Sequence, residues 1–224
     1  MPTGPRRFPA TVVLFQHGDD LYLFDTGYSA RIFEFGWRSR VYNHLNPVFF
    51  NAGDDLMSQL SCDGIEPGDI TGIIISHLHP DHIGGLCDFP GCWIFTSQEV
   101  FRTFKNPGLR DLVFMNMVPR DFSERCVALN IRDEYDLFAD GSVILLNLSG
   151  HTNGQIGMLL PEHNVLFAAD SCWGSDLFDK PMKLLGRCLQ KNYADYQNSI
   201  TRIRRLQKTG VDVICCHGDG LRCK

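Results

Sequence analysis

The stretch Gly72-Ile73-Ile74-Ile75-Ser76-His77-Leu78-His79-Pro80-Asp81-His82-Ile83-Gly84-Gly85 decides how this chain is read. Gly72 to Ser76 is a nearly continuous apolar run, as expected of a strand covered on both faces. Four metal-capable side chains, His77, His79, Asp81 and His82, follow it within six residues. Alternate residues of an extended segment point the same way, so His77 and His79 can share one ion. Pro80 then turns the chain, and Asp81 and His82 can face a second position across the turn. Gly84-Gly85 permits a close backbone approach at the start of the next segment.

Outward from this stretch the pattern alternates strand and helix. Thr11–Gln16 is β-rich, His17-Gly18-Asp19-Asp20 is a turn, and Leu21–Phe24 is a second strand that completes a hairpin and ends at Asp25-Thr26-Gly27. Residues 28–53 mix aromatics with Gly, Asn and Pro and support no assignment. Asp54 can cap a short helix carrying Leu56, Met57 and Leu60 on one face. Trp93–Thr96 is a further strand and Ser97–Phe104 a helix. Residues 105–140 are ambiguous. Val143–Leu148, Gln155–Leu160 and Val165–Ala169 are short strands. Residues 176–209 are helical, with Tyr193, Tyr196, Ile200, Ile203 and Leu206 forming one apolar face. Val211–Cys215 is the last strand. The expected architecture is a layered α/β protein of two mixed β-sheets packed together with helices outside. Five His and two Asp (the four above with His151, Asp170 and His217) follow strand ends, where rigid scaffolds present ligands. Imidazole and carboxylate ligands suit zinc, and also manganese, iron or cobalt.

Composition bounds the class. The chain has 224 residues, 44% hydrophobic and 21% charged, which excludes disorder over its whole length. A net charge of −5 argues against binding nucleic acid through bulk charge. No run of 18 apolar residues occurs, so no transmembrane helix and no membrane partner is expected. Nine cysteines without a CxxC pair fit a reduced, cytoplasmic protein. Residues 1–10, rich in Pro and Arg, read as a flexible arm, and residues 11–224 as a single domain.

The order His77-x-His79-x-Asp81-His82, then Gly150-His151-Thr152-x-Gly154-Gln155-x-Gly157, then Ala169-Asp170, then a final strand and His217, resembles the metallo-β-lactamase superfamily, and Asp25-Thr26-Gly27 after an early strand also matches. The resemblance covers residues 11 to 218, nearly the whole chain. It implies an αββα sandwich with two divalent metal ions, zinc first and iron or manganese as alternatives. Carried over position by position, His77, His79 and His151 would hold one ion, Asp81, His82 and His217 the other, and Asp170 would bridge them. Asp25 would stand behind the ligands and orient their loop. Two divalent ions set against Asp81, Asp170 and a hydroxide leave a net positive site, able to polarise a carbonyl and hold a nucleophile at neutral pH. The catalytic residues are then Asp81, which can also shuttle a proton, and Asp170.

Single residues sort the branches. His79 stands where flavodiiron proteins place a Glu, which favours hydrolysis over oxygen reduction. Gly64-Ile65-x-Pro67-x-Asp69-Ile70 followed by Ser76–Leu86 looks like the lactonases, including those that open acyl-homoserine lactones. Such lactonases carry a Tyr three residues after the bridging Asp, where this chain has Trp173, whose indole donates only through its ring N–H. That departure weighs against homoserine-lactone specificity. Lys180, Lys183, Arg187 and Lys191 admit a thioesterase of the hydroxyacylglutathione-hydrolase type, though a solvated basic helix face is the simpler reading of them. A non-catalytic metal-binding or regulatory protein on this scaffold is the third alternative. Tyr28, Trp173 and His44 are expected at the substrate pocket, together with an apolar wall of Phe33, Phe35, Trp37, Phe114 and Met115 from the two long irregular segments. Cys216 could supply a thiolate, but a small buried strand residue is the simpler reading. The expected function is hydrolysis of an ester or lactone carbonyl in a small, partly apolar substrate.

Overall fold

A computed structural model describes residues 8–173, 182 and 184–218. The chain folds into two mixed five-stranded sheets with flanking helices, and divides into two compact units, Val12–Asn130 and Ile131–Lys224 with Met1–Thr11.

The unit Val12–Asn130 holds the sheet β1-β2-β3-β4-β5, with strands Val13–His17, Asp20–Phe24, Ile70–Ile74, Trp93–Ser97 and Cys126–Leu129. β1 and β2 form the expected hairpin, closed by Gly18-Asp19 with Gly18 at φ +60, a conformation that costs glycine little. β2 through β5 run parallel. β3 is covered on both faces, as its Ile run requires, and Gly72 lies so close to the Phe95 and Tyr22 rings that a Cβ would meet them at 2.9 and 3.0 Å. The helices of this unit are α1 (Gly36–Leu45), α2 (Leu56–Cys62), α3 (Pro80–Ile83), α4 (Gln98–Lys105) and α5 (Phe122–Arg125). Ser97 caps α4 by accepting the Val100 N–H, and Asp55 rather than Asp54 caps α2 by accepting the Ser58 N–H. Leu23, Ile73, Ile75, Ile94, Phe89 and Phe122 lie at the centre of the core, with Leu60, Val100 and Tyr42 packed in from the helices.

The other unit holds the sheet β10-β9-β8-β7-β6, with β6 Glu134–Asp136, β7 Ile144–Asn147, β8 Ile156–Leu160, β9 Val165–Phe167 and β10 Asp212–Ile214. β6 to β9 are antiparallel neighbours, and β10 pairs parallel with β9. Its helices are α6 (Leu184–Leu189) and α7 (Tyr193–Lys208). Ile200, Ile203 and Leu206 of α7 pack on Leu146, Leu148 and Leu166 of the sheet region, which is the apolar face the helical spacing requires. Asn192 caps α7 by accepting the Ala194 and Asp195 N–H groups.

Two sequence expectations change. Residues 28–53 are not irregular throughout, because α1 occupies residues 36–45. Residues 105–140, left unassigned, contain α5, β5 and β6. Lys180, Lys183 and Phe178 lie outside the described residues, as do residues 1–7 of the expected arm.

Candidate metal-binding residues

Within Val12–Asn130, the chain leaving β3 carries the histidines and is held from behind by Asp25. The Asp25 N–H donates to the Ile74 carbonyl at 2.8 Å, so β2 and β3 end side by side. Asp25 sits at φ +61, a conformation tolerated by Asp more than by most residues. Its carboxylate, fully buried, accepts from the Ser76 N–H, the Ser76 hydroxyl and the His82 Nδ1–H, each at 2.7 Å. Because the Ser76 hydroxyl gives its one proton to Asp25, it accepts from His77 Nδ1 at 3.0 Å. Both imidazoles therefore carry their proton on Nδ1, and Nε2 is the acceptor nitrogen in each. Thr26 fixes the other end of this turn, its N–H and hydroxyl both donating to the His82 carbonyl, at 2.7 and 2.9 Å.

Gly84 lies against the Gly27–Ser29 backbone, where a Cβ would meet the Gly27 carbonyl oxygen at 2.5 Å. The expected close approach is thus a contact between the turn that carries the histidines and the turn that carries Asp25. The His77 ring lies 4.6 Å from that of His79 and 4.0 Å from that of His82, centre to centre. Asp81 Oδ2 is 3.5 Å from His82 Nε2. Pro80 opens α3 rather than a simple turn, which places Asp81 and His82 in its first turn.

In the other unit, His151 and His217 converge on one oxygen. Their Nε2 atoms lie 3.4 and 3.2 Å from Asp170 Oδ2. His151 Nδ1 faces Gln190 Oε1 at 3.1 Å, and the amide nitrogen of Gln190 donates to the Gly186 carbonyl, which orients the oxygen toward the ring. His217 Nδ1 donates to the Pro9 carbonyl at 2.7 Å, and Phe8 meets the same ring edge-on. Asp170 is carried by a short turn after β9 and is buried. Burial disfavours the His217 imidazolium, but the Asp170 carboxylate and its hydrogen bond outweigh burial and raise the imidazole to about 12. A proton is held there in a place whose donor set, two Nδ1-anchored imidazoles on one carboxylate, suits a divalent cation.

The pocket residues named from sequence fall in three different settings. Tyr28 is half-buried, with its hydroxyl 2.9 Å from that of Tyr42, and burial followed by the charge of Asp81 pushes the phenol far up, so it stays neutral. Trp173 meets the His151 ring edge-on, with centres 6.2 Å apart. His44 is exposed in the last turn of α1. Of the expected apolar wall, Phe114 is a core residue, whereas Trp37 is 63% exposed and Phe33 and Met115 are also exposed. Ser76, Gln190 and the Pro9 carbonyl were not singled out from sequence. Ser76 stood beside His77, but a serine and a main-chain oxygen carry no pattern that marks them.

The family model of the metallo-β-lactamase superfamily matches residues 5–218, and the chain belongs to that superfamily. It is 25% identical over 212 residues to the N-acyl homoserine lactonase AiiB of Agrobacterium fabrum (strain C58), covering 88% of this chain and 74% of that protein. Its fold matches that of an N-acyl homoserine lactone hydrolase solved with N-hexanoyl-L-homoserine at its catalytic metal centre, with TM-score 0.74, 19% identity, and coverage of 95% and 82% of the two chains. AidC, a dizinc quorum-quenching lactonase, matches with TM-score 0.69, 20% identity, and coverage of 94% and 72%. The chain therefore has the metallo-β-lactamase fold and lactonase homologues.

Proposed function

We propose that the protein is a dinuclear metal-dependent hydrolase that opens the carbonyl of an ester or lactone in a small, partly apolar substrate. In this reading His77, His79 and His151 would hold one ion, Asp81, His82 and His217 would hold the second, and Asp170 would be a ligand to both. Zinc is the metal that suits these ligands first. When bound, the ions supply a water of lowered pKa, from 15.7 to about 7, and a Lewis acid for the carbonyl oxygen.

The observation that carries the reading is the anchoring of the imidazoles. His77, His82, His151 and His217 each direct Nδ1 to a fixed acceptor, namely the Ser76 hydroxyl, the Asp25 carboxylate, the Gln190 amide oxygen and the Pro9 carbonyl. Histidines kept only for packing need no such uniform backing, whereas metal-binding histidines acquire their tautomer and direction from it. Asp81 and Asp170 supply the negative charge and can accept or return a proton during turnover. Tyr28, neutral and near Asp81, offers a hydroxyl to a substrate oxygen, and Trp173 beside His151 offers an indole N–H and an apolar face. The lactonase relatives favour the lactone over the thioester. A cytoplasmic location accompanies the proposal.

The test is metal analysis of the purified protein together with a turnover screen of lactones, aryl and alkyl esters and thioesters. Two metal ions per chain with turnover of esters or lactones is the expected result. Two bound ions with no turnover of any of these would favour a binding protein on the same scaffold, and turnover confined to thioesters would favour the thioesterase.

A further inference from the structure

Cys216 directly precedes His217 just beyond the end of β10 and is 4% exposed. Two main-chain bonds tie this segment to the turn that carries Asp170: Ala168 N–H to the Ile214 carbonyl at 2.9 Å, and Cys216 N–H to the Ala169 carbonyl at 3.2 Å. The Cys216 carbonyl is held in turn by the N–H and hydroxyl of Thr11, at 3.2 and 2.7 Å. The residue is therefore fixed on both sides. One donor atom from each of Asp170, Cys216 and His217 lies within 4.8 Å of the others.

The neighbouring cysteines are placed otherwise. Cys215 and Cys172 belong to the apolar cluster of Leu146, Leu148, Leu166 and Ile203. The chain turns directly after Cys215, with the Gly218 N–H donating to the Cys215 carbonyl at 3.1 Å, so that Cys215 stays in this core whereas Cys216 groups with the carboxylate and the imidazole. An imidazole, a carboxylate and a thiol grouped in this way form a donor set for a borderline or soft divalent ion, in which the thiol gives up its proton to solvent as the metal–sulfur bond forms.

We propose that Cys216 is a thiolate ligand of the ion held by His217 and Asp170, so that this position is an N,O,S site rather than an N,O site. The inference rests on the dinuclear reading above. It has two consequences. The added negative charge offsets part of the cationic charge and moderates Lewis acidity at that ion. The sulfur also biases the position toward zinc, cobalt or cadmium and away from manganese and magnesium, which prefer oxygen ligands.

The test is cobalt(II) loading of the metal-stripped full-length protein, read by metal stoichiometry and near-ultraviolet absorption. The expected result is a thiolate-to-cobalt charge-transfer band that is lost in Cys216→Ser and kept in Cys172→Ser and Cys215→Ser. In Cys216→Ser, the preference for zinc over manganese falls by about tenfold or more. Bound cobalt without the band in the unaltered protein overturns the inference, as does a band that survives in Cys216→Ser or disappears only in Cys172→Ser or Cys215→Ser. Each of these leaves the hydrolase reading standing. An unaltered protein that binds no cobalt, zinc or manganese would defeat that reading and this inference together. If Cys216→Ser fails to fold, the cadmium-113 resonance of the unaltered protein decides: a thiolate-range shift supports the inference and a nitrogen/oxygen-range shift overturns it.

Discussion

Asp25 shows how a buried charge can be kept without binding a metal. Its carboxylate accepts three hydrogen bonds of 2.7 Å, two from Ser76 and one from His82, and these offset the cost of its burial. Asp25→Asn keeps the shape and tolerates the positive φ but removes the charge behind His82. The expected outcome is a folded protein whose metal affinity falls about 10- to 100-fold, measured by competition with a chromophoric chelator. His79→Ala removes a proposed ligand outright, and metal content should drop by one ion per chain with turnover falling by orders of magnitude. A near-normal rate would sink the assignment. At this scale the sequence was informative where residue type carries chemistry. His77, His79, Asp81, His82, His151, Asp170 and His217 could all be named as candidates because imidazole and carboxylate after strand ends are unusual. The groups behind them were not legible, because Gln190 and the Pro9 carbonyl reach His151 and His217 from 39 and 208 residues away in the chain.

The elements around the histidines constrain them through backbone approach. Gly150, just before His151, lies at φ +135, and a Cβ there would collide with the backbone of Tyr196 in α7. Gly150→Ala should therefore cost about 3 kcal/mol or more and displace His151, read as a lowered Tm together with weakened metal binding. At α2, the Ser58 N–H and hydroxyl hold the Asp55 carboxyl below its usual range. A folded-state pKa below the unfolded one adds stability above the unfolded value and loses it as pH falls through the folded value. The Tm gap between the unaltered protein and Asp55→Ala should thus be present at pH 7 and close below the ordinary carboxylate range; a gap that stays constant on acidification would contradict this. Helix α4, helix α7 and the β1-β2 hairpin were readable because their apolar spacing matches their buried faces. α1 was not, for a physical reason: it buries Ser39 and exposes Trp37, Val41 and Leu45, so its hydrophobic pattern points away from the core.

Across the whole molecule, each unit is a sheet with helices packed on it, and the strands of one lead into four of the seven proposed ligands and those of the other into three. A ligand that binds only the folded state adds stability by mass action, about 4 kcal/mol when the free ion stands at about 1,000 times its Kd. At about 2–4 °C per kcal/mol for a chain of this size, chelation should lower Tm by roughly 8–16 °C, and re-addition of zinc should restore it. An unchanged Tm after verified metal removal would show that the ions do not hold the fold. The sequence alone determined the class of the fold and the candidate metal ligands, because strand runs, helix faces and clustered imidazoles are local patterns. Only the tertiary structure decided which atoms back His77, His82, His151 and His217, which cysteine lies with Asp170, and which aromatics are core. Those are contacts between residues far apart in the chain, and local periodicity carries no information about them.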